Sequence, residues 1–111
     1  MSQNIRGTFS SGASSGVGQT SDVLAIPTGT TTARLTIPND STHPVNSTID
    51  ASNTCKTQKS ADSGATWADQ TTYNSAQSAV AVTVAAGEQW RLVLVSQQAN
   101  KSMAYELSAQ S

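Results

Sequence analysis

A single cysteine, Cys55, and a single histidine, His43, stand in a chain of 111 residues. One thiol excludes an intrachain disulfide framework, and so small a set of Cys and His offers no ligands for a structural zinc site. A small exported β domain often relies on disulfides, so the lone thiol favours folding in a reducing cytoplasm. Charge is scarce as well: Asp, Glu, Lys and Arg make up 12% of the chain, six basic against seven acidic, for a net charge of −1. That balance excludes a broad basic surface for nucleic acid and an acidic disordered tail. Aromatics number five, and hydrophobic residues are 36% of the total, so the expected core is thin. No apolar run approaches the ~20 residues of a bilayer-spanning helix, and no membrane role is expected. The start, Met1 to Arg6, has no apolar run behind a basic segment and does not read as a signal peptide.

Hydroxyl and amide residues are what the chain has in quantity. There are 17 Ser, 15 Thr, nine Gln and six Asn. The surface must therefore be neutral and polar. The length suits one domain. Residues 1–22 are Ser/Gly-rich, with Ile5 and Phe9 as their only sizeable apolar side chains. They read as a flexible N-terminal arm or as a first edge strand, ahead of a folded domain over 23–111.

From Val23 the pattern is that of strands. Val23 to Ile26 is a short apolar run stopped by Pro27, and Ala33, Leu35 and Ile37 alternate with polar neighbours. Val45 to Ser52 can hold a further strand with Ile49 and Ala51 inward. Thr54–Ser60 and Thr66–Asn74 flank a tight turn at Asp62-Ser63-Gly64. Trp67 and Tyr73 lie an even number of positions apart, which places both on one face of a regular strand. Val80, Val82 and Val84 fit either a strand or a helix that begins near Ala76. Three β-branched residues at period two favour the strand. Trp90 to Val95 is apolar on both faces, as in a central strand or one covered by a second subunit. Met103, Tyr105 and Leu107 alternate in a last strand. The expected fold is all-β, a single-domain antiparallel β-sandwich of jelly-roll or immunoglobulin-like topology.

Catalytic chemistry finds little support. His43 sits in a turn-like Thr-His-Pro context, and no Gly-x-Ser-x-Gly elbow exposes a nucleophile. Cys55 lies in an expected strand with no placeable base and reads as inert. The carboxylates are scattered singly, without the facing pair of a glycosidase or the dense oxygen loop of a calcium site. Asp22, Asp40 and Asp50 could meet only at loop ends. The glycines between Gly7 and Gly18 lack the Gly-Lys-Ser/Thr ending of a phosphate loop. No enzyme activity, metal or cofactor is expected. Asn39, Asn46 and Asn100 head glycosylation-type triplets, which are common by chance in so hydroxyl-rich a chain.

One motif is specific. Ser60, Asp62, Gly64 and Trp67 fit Ser-x-Asp-x-Gly-x-x-Trp, which resembles the Asp-box of sialidases and related proteins. Asp62 is placed to accept turn amides, and Gly64 permits a positive φ. The motif builds a hairpin. Sialidases carry several copies on propeller blades; one copy in 111 residues leaves no room for a propeller. The same hairpin, followed by Gly87-Glu88-Gln89-Trp90-Arg91-Leu92 and then Tyr105-Glu106-Leu107-Ser108, resembles small virion proteins of tailed bacteriophages. In those the hairpin reads Ser-x-Asp-Gly-Gly-x-Thr-Trp, and Ser63 here departs from the second-position glycine. The match covers roughly residues 54–110, half of the chain. On that match the chain resembles the capsid decoration (cement or staple) proteins of short-tailed phages.

That resemblance implies a β-sandwich on the outer surface of the virion, made in the bacterial cytoplasm, that clamps neighbouring subunits of the major capsid protein and carries no catalytic residues. On this reading the N-terminal arm orders on the capsid, with Ile5 and Phe9 as anchors. Trp90, Val93 and Val95 are the expected self-association surface of a homodimer. The alternative is a receptor- or carbohydrate-binding module of a fibre or tail, with Trp67, Trp90 and Tyr73 as a stacking platform.

Overall fold

The computed structural model describes residues 2–10, 18–39, 47–98 and 101–110. Eight strands form, with no helix among the described residues: β1 (Ser2–Ser10), β2 (Leu24–Ala25), β3 (Thr32–Ile37), β4 (Thr54–Ser60), β5 (Ala68–Tyr73), β6 (Gln77–Thr83), β7 (Gln89–Ser96) and β8 (Ser102–Gln110). They make two four-stranded antiparallel sheets, in the orders β1-β8-β3-β6 and β2-β7-β4-β5. The first strand pairs with the last, the second with the second-last, and so inward to the β4–β5 hairpin. A chain folded once into a long hairpin and then rolled gives this order, which is the jelly roll. The immunoglobulin-like alternative would place the first two strands side by side and fails here.

Period-two patterning decides which side chains fill the sandwich. Ala33, Leu35 and Ile37 of β3, Trp90, Leu92 and Leu94 of β7, and Met103, Leu107 and Ala109 of β8 are all buried. Val82 and Val84 are buried on the same plan, with Val80 packed at their side, so this segment is a strand and not a helix.

The N-terminal segment departs from the arm reading. Residues 2–10 are an edge strand in unbroken register with β8, from Ser2 opposite Gln110 to Ser10 opposite Ser102. Ile5 and Phe9 are 8% and 2% exposed and belong to the core. Neither side chain is free to anchor a partner. The Phe9 ring packs against Tyr105 at a centroid distance of 4.7 Å. Between them the inner face of β1 has only Gly7, and the Tyr105 ring fills its place: a Cβ on Gly7 would meet the Tyr105 hydroxyl at 2.7 Å. The Ser/Gly-rich stretch over 11–17 lies outside the described residues.

Two further expectations change. No regular strand runs through 47–52. Ile49 is buried, but its backbone is held by a side chain: Asn39 Nδ2 donates to the Ile49 carbonyl at 3.0 Å, and the Ile49 amide donates to Asn39 Oδ1 at 2.9 Å. Ala51 is exposed in a turn in which Asp50 Oδ1 accepts the Ser52 amide at 2.8 Å. Trp67 and Tyr73 face opposite sides of their sheet. Gln70 and Thr71 together oppose Thr57, a β-bulge between the Gln58–Asp69 and Lys56–Thr72 pairs, and the extra residue inverts the parity after it.

Candidate interaction surface

The β4–β5 hairpin is built by its own side chains. The Ser60 hydroxyl donates to Asp62 Oδ1 at 2.6 Å and accepts the amides of Asp62 and Gly64 at 3.3 and 2.8 Å. Asp62 Oδ1 also accepts the Thr66 amide at 2.9 Å, and Oδ2 takes the Thr66 hydroxyl. These bonds, that from Ser60 first and those from Thr66 next, lower the Asp62 pKa from an ordinary 3.8 to about 2. Ser63 and Gly64 turn the chain with φ of 61° and 89°. The Trp67 ring lies over the turn, its Cζ2 at 3.8 Å from where a Gly64 Cβ would sit. Ser60, Asp62, Gly64 and Trp67 are thus brought together as one local unit. Every polar group of Asp62 is committed to holding the turn.

Trp67 is half-buried on the outer face of the β2-β7-β4-β5 sheet, and it starts a row of contacts across three strands. The Arg91 guanidinium lies 4.1 Å from its ring centroid, a contact worth ~0.5–1 kcal/mol at an exposed site. Arg91 Nε donates to Gln58 Oε1 at 2.9 Å, Gln58 Nε2 donates to Asp69 Oδ1 at 2.8 Å, and Lys56 Nζ lies 3.0 Å from Asp69 Oδ2. Gln58 first, and Lys56 with it, lowers the pKa of Asp69. Val93 lies opposite Lys56 on the same face, half-buried. Val23 and Val95, 45% and 37% exposed, are the exposed large hydrophobics among the described residues. Val95 is the extra residue of a bulge between the Cys55–Leu94 and Thr54–Ser96 pairs. Val23 precedes Leu24, which lies opposite Trp90, and so comes beside Arg91.

The opposite sheet presents a different outer face. Asn4, Arg6, Thr8, Arg34, Ala81, Thr83, Ala104, Glu106 and Ser108 alternate there with the buried residues, and none is a large hydrophobic. The outward tryptophan and the exposed valines are gathered on one side of the sandwich. Tryptophan and arginine are the residue types that carry most binding energy in protein interfaces.

Trp90 does not belong to this surface. It is 3% exposed and faces the core, so of the three residues expected for self-association only Val93 and Val95 reach the outer face. The strand period separates Trp90 from both by an odd number of residues. Its indole Nε1 donates to Glu88 Oε1 at 3.1 Å, and the same oxygen accepts the Ala85 amide at 2.8 Å. Lys59 Nζ lies 3.2 Å from Glu88 Oε2. Burial raises the Glu88 pKa, but these donors outweigh it and the net shift is downward. Sequence reasoning passed over Glu88; the signal was its place between the Gly87 turn and Trp90, two residues ahead on the same strand face. The stacking platform of Trp67, Trp90 and Tyr73 does not form either. Trp90 is in the core and Tyr73 packs against it. Cys55 is fully buried, and burial pushes its thiol up to about 12. Among the described residues no three of His, Cys, Asp and Glu gather as a metal site would require. His43 and Asp40 lie outside those residues.

Fold and surface together define an eight-stranded jelly roll with one contact-rich face. No family model matches the chain, and neither does any curated protein or solved structure.

Proposed function

We propose that the protein decorates the outside of a phage head and stabilises it by clamping neighbouring major capsid subunits. The observation that carries this reading is the outer face of the β2-β7-β4-β5 sheet, where Trp67, Arg91, Val23, Val93 and Val95 stand together on an otherwise polar molecule. The jelly roll is an architecture of viral capsid proteins, which agrees with it, but lectin domains use it too. The resemblance over residues 54–110 supplies the phage context. Stabilisation would come from bridging: a clip attached to two subunits makes loss of either contact conditional on the other, so modest interfaces act together. Half-exposed Trp67, close to polar Gln58 through Arg91, also suits the receptor- or carbohydrate-binding alternative, as a single stacking ring in place of a platform.

Co-sedimentation with heads of a short-tailed phage stripped of their decoration protein tests the proposal. The expected result is saturable binding at a fixed ratio to the major capsid subunit, weakened at least tenfold by Trp67→Ala or Arg91→Ala, in keeping with a central hot spot of about 1.4 kcal/mol or more. Failure to bind heads, with retention on a glycan column, transfers the function to the alternative.

A further inference from the structure

A β-sandwich of two open sheets has four edges, and native proteins blunt such edges with short strands, bulges, proline or charge. Three of the four edges here are blunted. β2 is two residues long, and ahead of it the Ser21 hydroxyl takes the Leu92 amide at 2.8 Å and interrupts the ladder. β5 carries the bulge at Gln70–Thr71. β6 carries another, where Ser78 and Ala79 oppose Thr36 and Ala79 adopts a φ of 49°. β1 has no bulge, no proline and one charge alone. Its nine residues keep register with β8 without a shift, and it contains neither proline nor lysine. Its single charge is Arg6.

We infer that β1 is the self-association edge, pairing antiparallel with β1 of a second copy about a two-fold axis at Gly7. In a two-fold pairing that keeps inner faces aligned, the axis must pass through a residue, and the residues themselves select which one. An axis at Arg6 sets Arg6 directly against its own copy, a like-charge pair. An axis at Ile5 sets Gly7 against Gln3 and leaves Phe9 with no residue of β1 opposite it. An axis at Gly7 sets Ile5 against Phe9, which prolongs the buried layer from one copy into the next. It also sets Arg6 against neutral Thr8 on the outer face and Asn4 against Ser10. The backbone is disposed accordingly. The Thr31 carbonyl accepts the Val84 amide at 3.0 Å, so the odd residues of β3 bond β6 and its even residues bond β8. By the alternation of an antiparallel ladder, β8 then bonds β3 through Glu106 and Ser108 and β1 through Met103, Tyr105 and Leu107, so Asn4, Arg6 and Thr8 are the residues of β1 whose amides and carbonyls turn outward. Those three fall opposite Ser10, Thr8 and Arg6 of the second copy.

Thr8 tests the register. It is exposed and lies opposite Ala104 on β8, so its substitution disturbs neither the core nor the β1–β8 pairing. Sedimentation equilibrium of the isolated protein over a concentration series is expected to show a dimer. Thr8→Lys sets a cation against Arg6 twice in each dimer and should raise the dissociation constant about three- to tenfold. Thr8→Glu should lower it by a similar factor, and both shifts should shrink at high salt. Far-UV circular dichroism confirms that each variant is folded. A protein that stays monomeric, or a dimer indifferent to both substitutions, overturns the proposal. The measurement uses no capsid, so a monomer that still binds heads sinks the pairing and leaves the decoration reading intact.

Discussion

At the scale of single residues, the turn from Asp62 to Gly64 combines strain with compensation. Ser63 holds a left-handed φ of 61° with an exposed side chain. A left-handed conformation costs a non-glycine residue about 1–2 kcal/mol, and glycine relieves it while losing about 0.5–1 kcal/mol of unfolded-chain entropy. Ser63→Gly should therefore stabilise the protein by ~0.5–1 kcal/mol, read as a higher urea midpoint at unchanged m-value. The neighbouring carboxylate supplies a pH signature. Asp62 titrates near 2 in the folded protein against an ordinary 3.8. A lowered pKa means that the ionised form stabilises the fold, so the contribution is complete above the unfolded value and is lost as pH falls through the folded one. The stability difference between wild type and Asp62→Asn should be constant from pH 5 to 7 and shrink progressively from pH 4 to 2. A difference that does not change across that range would mean the Ser60 and Thr66 bonds do not favour the ionised form.

At the scale of elements, β1 shows what a sequence can hide. Local pattern exposes strands where each residue supplies its own side chain to the core, as with Ala33, Leu35 and Ile37 or the three valines from Val80. The inner face of β1 has Ile5, then Gly7, then Phe9, and the gap at Gly7 is filled by Tyr105 from a strand almost a hundred residues later. No window around residue 7 contains that information, and the segment reads as well as an arm as an edge strand. The Asp-box hairpin was legible because all its hydrogen bonds lie within seven residues. The row from Trp67 to Lys56 was not, because it needs the register of three strands and a bulge that reverses parity. Phe9 separates the two readings of β1 directly. As a core residue 2% exposed and packed on Tyr105, its replacement by Ala should cost ~3–5 kcal/mol in a denaturant melt. An anchor waiting for a partner would leave the melt unchanged.

At the scale of the whole molecule, the nested pairing has a consequence in time. The innermost hairpin, β4–β5, joins neighbours in sequence, whereas β1 pairs with β8, from Ser2 opposite Gln110 to Ser10 opposite Ser102. Each step outward from the hairpin closes a longer loop, and non-local pairing of this kind slows folding. During synthesis the strand made first is the one whose partner is made last. A nascent chain carries Ile5 and Phe9 uncovered until β8 has left the ribosome. The domain is then sealed in a single late event, after translation of the eight strands, and an unfinished chain never presents the completed sandwich to whatever it binds.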